Sequence, residues 1–591
     1  MFLRLTRREK DGKEHAYWSL VETVRTPDGP RQRTVCYLGE LNHLAQARWV
    51  KAIEVFNEAG ERRQLKLFPA EAAPAAEDPE VARVLVKHVR YERPRQFGAC
   101  WVGWELWRQL QLDRLFESLL DTAPAEVPWS RVAALLAINR LCAPGSELAV
   151  EQRWYPTTAL DDLLHIPEGK INDTRLYRCL DHLWRHKTAV ERHLTQRFGE
   201  LFAAEFDVLL YDLTSTYVEG LAEQNPMMRH GYSRDHRSDC KQLVLALIVN
   251  VDGFPLGYET FDGNRADVTT LEAVMRLVER KYGRARRVWV FDRGLVSEVN
   301  LAAVRRRDGA YLVGTPRSQL KAVEAALLNG TWAQVRDEVQ VQLVPIPGGT
   351  ETYVLCRSTA RRTKEQAIRT RFSTRLERAL QQLTQRVERG RLKDRAKMER
   401  ALGRLQARYP MVADLYQMAV TEHDGRLRIE WNEIAERRTW REAREGAYLL
   451  RTNLHGETAE ELWQKYIQLT EAEAAFRALK SELGLRPVFH QREHRVKAHV
   501  LVAFLGYALW VTFKRLLQQT PSRLSPALAL ARLVAIQSAD IVLPTTDGRD
   551  IRLRRVATPE RDQKRLLDEL GLTLPDRFAL NLECSGDLAT A

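Results

Sequence analysis

The sequence holds few cysteines and pairs none of them. Cys36, Cys100, Cys142, Cys179, Cys240, Cys356 and Cys584 stand singly, with no CxxC among them. That spacing argues against a zinc site and against a disulfide framework, and it suits a reducing compartment, the cytoplasm. No apolar run reaches the roughly 18 residues that a membrane-crossing helix needs, so no membrane partner is expected. The opening stretch, MFLRLTRREKDGKEHAYW, lacks the long apolar core of a signal peptide. No internal repeat is present. Acidic residues are in the minority, 78 Asp+Glu against 91 Lys+Arg, a net charge of +13. Such a balance points to a polyanionic partner. The excess is concentrated, because residues 361–408 carry 16 Lys/Arg against 5 Asp/Glu, a net of +11.

With 591 residues and 45% hydrophobic content, the chain has material for roughly three to five ordinary globular domains. Residues 1–68 read as a basic β-hairpin region. His15–Val24 and Arg31–Leu38 are strand-like and are joined through Thr26-Pro-Asp-Gly29. Residues 69–97 read as a linker, Ala/Pro/Glu-rich from Pro69 to Glu80. Residues 98–204 are helical in pattern and form a candidate DNA-binding region. Trp101, Trp104 and Trp107 step along one helix face there, a pattern of core packing more than of a base-stacking platform. Asp173 is the expected N-cap of a later helix in this region.

At residue 205 the texture changes to strands alternating with helices. Phe206–Tyr211, Gln242–Val249, Phe254–Phe261, Arg287–Phe291 and Ala310–Gly314 are strand-like, with Asp252-Gly253 as a hairpin signal. Asp267 and Ser297 are placed to cap the two intervening helices. The order β-β-β-α-β-α-β is that of the ribonuclease-H-like fold, a mixed α/β architecture. The expected core is residues 205–317 and 446–515, interrupted by an insertion over 318–445 and followed by a C-terminal region, 516–591. In the insertion, Leu376, Leu380, Leu383, Val387, Met398 and Leu402 predict a basic helical hairpin broken at Gly390. Trp431 and Trp440 belong to the same segment and suit core packing, with stacking on an extruded base as the alternative. His499 lies in an apolar helix and reads as a satisfied core histidine.

Asp212 and Asp292 each follow a hydrophobic run, on the first and fourth strands, which are neighbours in that strand order. Farther along, Tyr466 to Lys480 predicts one helix with Leu469, Ala472, Phe476 and Leu479 on its apolar stripe. Glu473, Arg477 and Lys480 share its other face, with Tyr466 seven residues upstream of Glu473. Three carboxylates, Asp212, Asp292 and Glu473, would form a hard-oxygen site for Mg²⁺ or Mn²⁺, with room for two ions.

Tyr211-Asp212-Leu-Thr-Ser-Thr, Asp252-Gly-Phe-Pro-Leu with Gly263-Asn264, Phe291-Asp292-Arg-Gly-Leu and Tyr466…Glu473-Ala-Ala-Phe-Arg477-Ala-Leu-Lys480 resemble the motifs of DDE transposases. More narrowly, they resemble the insertion-sequence group whose last helix carries a Tyr-Arg-Glu-Lys signature. The resemblance covers about residues 205–315 and 446–510. It implies Asp212, Asp292 and Glu473 as the catalytic metal-binding triad, and Tyr466, Arg477, Lys480 and Arg293 as DNA contacts. The signature's arginine is replaced by Leu469. Glu471 competes for the third carboxylate but does not share a face with Arg477 or Lys480. The resemblance further implies a prokaryotic, nucleoid-associated enzyme that cuts and transfers double-stranded DNA. Its substrates would be its element's terminal inverted repeats and target DNA, in a homodimeric synaptic complex. Two other readings remain: a decayed transposase that only binds DNA, and another ribonuclease-H-like nuclease such as a resolvase.

Overall fold

The computed structural model of the chain describes residues 2–10, 13–26, 29–39, 52–56, 62–66 and 83–575, apart from 168, 347, 424 and 547. Its organising feature is a nine-stranded mixed sheet. The strands are β1 (Val208–Tyr217), β2 (Gln242–Val249), β3 (Pro255–Asp262), β4 (Val288–Phe291), β5 (Ala310–Gly314), β6 (Ala333–Arg336), β7 (Val339–Pro345), β8 (Thr352–Ser358) and β9 (Ala447–Thr452), laid out in the order β6-β7-β8-β9-β5-β4-β1-β2-β3. The β5-β4-β1-β2-β3 half is the ribonuclease-H-like arrangement read from the sequence. β1, β2 and β3 are an antiparallel meander, and β4 and β5 add in parallel on the other side of β1.

Helices α1 (Leu271–Tyr282) and α2 (Glu298–Arg305) make the crossovers. They bury Leu271, Val274, Met275, Val278, Leu301 and Val304 against Leu209, Tyr211, Val244 and Ile248 on one face of the sheet. Every residue of β2 is buried, which fits a strand covered on both faces and explains its unbroken apolar run. The opposite face, with Leu210, Leu245, Leu247 and Val249, packs against the helical region and the later helices.

Several sequence expectations are corrected. Asp212 sits in the middle of β1, not at its end, because Thr214 to Tyr217 continue the ladder with β2; β-branched threonines suit a pleated strand. Asp267 does not cap α1, whose N-cap is Thr270; its carboxylate pairs with Arg234 instead. Ser297 does cap α2, accepting the Asn300 N–H. Asn172, one residue before the expected Asp173, caps the helix Asp173–Leu183.

The insertion is only partly separate. β6, β7 and β8 extend the main sheet, β8 pairing with β9, so the strands read as an independent segment belong to the core. What stands apart is the expected helical hairpin, α3 (Thr359–Glu388) and α4 (Arg395–Arg408), with a small sheet of Tyr416–His423 and Arg426–Glu433. Leu376, Leu380, Leu383, Met398, Leu402 and Ile429 form its own core, on which Trp431 packs. Trp440 packs against Leu320, Val323 and Leu327, a separate small cluster.

The single helix expected from Tyr466 to Lys480 is three pieces: α5 (Ala459–Ile467), α6 (Leu469–Arg477) and a π-helical turn, Ala478–Glu482. Thr458 caps α5 in a capping box with Glu461. The break at Gln468 alters the helical phase between Tyr466 and Glu473. The apolar helix around His499 is longer than its apolar run suggests. It forms α7 (Glu493–Gln519), long and apolar enough by composition to cross a membrane, but 78% of its apolar window is buried inside the protein.

The expected N-terminal hairpin is present, with Thr26 opposite Gly29, and a third strand, Phe2–Lys10, joins it. The Ala/Pro/Glu-rich stretch 69–80 lies outside the described residues. The C-terminal part of the segment read as linker is a strand, Arg90–Gln96, paired with Gln537–Pro544. Its charged sequence hid it, and ion pairs support it, for buried Arg95 binds Asp161 at 2.6 Å. In the helical region Trp104 and Trp107 are buried in the core and Trp101 packs against it.

Candidate active site

β1 and β4 run side by side and parallel, with Val208 opposite Val288 and Tyr211 opposite Phe291. One step further in the same register come Asp212 and Asp292. Neighbouring strands lie about 4.8 Å apart, so two residues far apart in sequence share one level of the sheet. Side chains alternate across a strand. Tyr211 and Phe291 face α1 and α2, and Asp292 keeps an extended backbone, φ −77° and ψ 165°. Both aspartates therefore project to the opposite side, the side of α6.

Helix α6 packs over β1 and β2, burying Leu469, Ala472, Ala475 and Phe476 while Glu473 stays exposed. Leu469, where the resemblance expects an arginine, is thus part of the docking stripe. Glu471 points elsewhere: its carboxylate accepts from Lys514 of α7 at 2.8 Å, beside the Gly253 turn. Glu473 makes no hydrogen bond or ion pair among the described residues.

Asp212 is mostly buried, and burial pushes its carboxyl up to about 6. The Leu213 N–H and the Arg234 guanidinium pull it down, whereas the charges of Glu473 and Asp292 push it up. Glu473 and Asp292 thus each lie within electrostatic reach of Asp212. Tyr466 is half-buried and donates its hydroxyl to Asp292 Oδ1 at 3.5 Å; burial, then Asp292, raises its phenol well above the usual range. Gly314, at the end of β5, leaves this corner open, for a Cβ there would lie 2.7 Å from the Tyr466 hydroxyl and 3.3 Å from Asp292 Oδ1. Tyr466 is therefore held against a carboxylate rather than projecting freely.

Of the expected DNA contacts, Arg293 and Arg477 are exposed. Lys480 is not free. It is largely buried and donates to Asp235 Oδ1 at 2.7 Å. Asp235 and Arg234 come from the connection between β1 and β2, residues 218–241, whose sequence has neither helical nor strand periodicity to mark it. Its length was the available signal, since long connections inside a compact sheet tend to be functional.

An all-carboxylate donor set, with one carboxyl raised by burial and then by its two neighbours, fits hard divalent cations such as Mg²⁺ or Mn²⁺. A second cluster, Glu147, His490 and His499, lies buried elsewhere. There both ring nitrogens of His499 are engaged, Nδ1 with Arg140 at 3.4 Å and Nε2 with the Leu485 carbonyl at 3.1 Å. Glu147 and Arg140 balance in charge, so this cluster is a satisfied core network, and His499 is the core histidine read from the sequence.

Two family profiles match the chain: the transposase DDE domain over residues 204–509, and the IS1634 family transposase N-terminal domain over residues 3–64. Among curated proteins no sequence matches. Among solved structures, the cryo-EM structure of the piggyBac transposase synaptic complex with hairpin DNA is similar over 75% of this chain and 82% of that one, at 8% identity and a TM-score of 0.32. That last likeness is too slight to carry an argument.

Proposed function

The chain belongs to the DDE transposase family and is a DNA transposase performing metal-dependent phosphoryl transfer, and on that premise we propose that Asp212, Asp292 and Glu473 are the carboxylates that hold its divalent ions. The observation that carries this reading is the parallel register of β1 and β4, which sets the two aspartates side by side beneath α6. Two Mg²⁺ or Mn²⁺ ions, when bound, would polarise the phosphate and stabilise the attacking and leaving oxygens of an in-line displacement.

The other roles fall to the chain's own groups. Tyr466, through its hydroxyl on Asp292, fixes that carboxylate's orientation. Arg293, Arg477 and Lys480 meet phosphates of the cleaved strand. Water cuts one strand at the element end, and the freed 3′-hydroxyl then attacks the second strand or the target. The helical region 98–204 and the basic insertion add contacts to double-stranded DNA at the terminal inverted repeats. Two ends imply a homodimeric synaptic complex, acting at the nucleoid of a prokaryotic cell.

A plasmid excision assay tests the assignment. With Mg²⁺ present, Asp292→Asn should lower excision at least about a hundredfold, with binding to end DNA retained. Excision at the wild-type rate would refute the site.

A further inference from the structure

The connection between β1 and β2 does not hang free. Val218 bridges to Val488, Glu219 N–H donates to the Val488 carbonyl at 2.8 Å, and Thr216 Oγ1 donates to the Leu485 carbonyl. Gln491 Oε1 accepts the Ala222 N–H at 2.7 Å. The connection is therefore strapped along the segment that follows the π-helical turn bearing Lys480.

At the middle of this strap stands Asp235. Its side chain is only 3% exposed, and Oδ1 alone accepts from both Lys480 Nζ at 2.7 Å and Arg486 Nη1 at 2.5 Å. Oδ2 is buried without a hydrogen-bond partner among the described residues. A buried polar atom left unpaired destabilises the fold, a cost that stability alone gives no reason to bear. The adjacent Arg234 is anchored separately: its N–H donates to Ser215 Oγ on β1 and its guanidinium pairs with Asp267. The same Arg234 acts electrostatically on both Asp212 and Lys480. One anion on the strap thus ties two cations of the following segment within reach of the carboxylate site.

We propose that Asp235 is a positioning residue for strand cleavage: it fixes the Lys480 ammonium, with Arg486 beside it, so that the scissile strand's phosphate meets pre-set cations next to Asp212. This rests on the reading of Lys480 as a DNA contact. A flexible lysine pays rotamer entropy each time it engages a phosphate; a lysine already pinned by a buried carboxylate does not. Misplacing such a group by about 1 Å costs of the order of a hundredfold in rate.

The test is a double-mutant cycle on purified full-length protein, with a duplex carrying the inverted repeat that flanks the coding region. Single-turnover cleavage and equilibrium binding are measured for wild type, Asp235→Asn, Lys480→Met and the double variant. Asp235→Asn should slow cleavage about 10- to 100-fold, change the binding constant less than about threefold, and have less than about a twofold further effect in the Lys480→Met background. The same loss in both backgrounds, or a loss confined to binding, overturns the proposal. Wild-type cleavage by Lys480→Met overturns the reading of Lys480 itself and is told apart by that single variant. Should Asp235→Asn fail to fold, Asp235→Glu keeps the charge at a shifted position. The proposal then requires slowed cleavage with unchanged thermal melting, and a wild-type rate overturns it.

Discussion

The basic surface of the insertion gives a prediction whose size follows from the structure. On α4, Lys397, Arg400, Arg404 and Arg408 recur at three- and four-residue steps and are all exposed, opposite the buried Met398 and Leu402. None of the four pairs with a carboxylate among the described residues; Arg400 and Arg404 reach only carbonyls of their own helix. Changing all four to Gln, a good helix former, leaves the helix and its packing intact. Each phosphate contact contributes about −0.9 to the slope of log affinity against log salt. Four lost contacts should flatten that slope by about 3.6. Between 50 and 200 mM salt, wild-type affinity should then fall about 150-fold more steeply than that of the variant. Fluorescence anisotropy with labelled end DNA across a salt series reads this directly. A slope changed by less than about 1, in a variant with a wild-type melting curve, would refute phosphate contact by this face.

Other outcomes follow from the packing and the buried network. Leu380→Ala empties a fully buried position between α3 and α4 and should cost about 2–5 kcal/mol, read by urea unfolding of the insertion; a loss under about 1 kcal/mol would mean that this core is not closed as described. Burial, with Arg140 beside it, holds His499 down at about 3. The unfolded chain takes up that proton near pH 6.5 and the folded protein does not, so the contribution of His499 to stability is lost progressively as pH falls from about 6.5 toward 3. Unfolding midpoints at pH 7, 5.5 and 4.5 should therefore drop less steeply in His499→Gln than in wild type; parallel slopes would count against the buried neutral imidazole. Glu147, held down to about 2, adds to the loss in the same direction, because the unfolded chain protonates it near pH 4.5 and the folded protein does not.

Much was legible from residue patterns because the signals are local or follow from strand order. The apolar runs of β2 and β5 have no other reading, Ser297 caps where its hydroxyl suggested, and the alternation of strands and helices gave the neighbourhood of β1 and β4. Other features depended on partners remote in sequence. Arg90–Gln96 is too charged to read as a strand until Gln537–Pro544 pairs with it. β6 to β8 read as a separate insertion until β9 supplies the edge that they extend.

By itself the sequence determined the chemistry available: three carboxylates on apolar frames, a concentrated positive charge, and the order of strands that brings Asp212 near Asp292. The tertiary structure decided which groups are free to act. It tied Glu471 to Lys514 and left Glu473 without a partner among the described residues, turned Tyr466 onto Asp292, and set Asp235 between Lys480 and Arg486. The reason is physical. Residue type and spacing fix what a side chain can donate or accept, but which partner it meets depends on loops and helix breaks that no periodicity encodes.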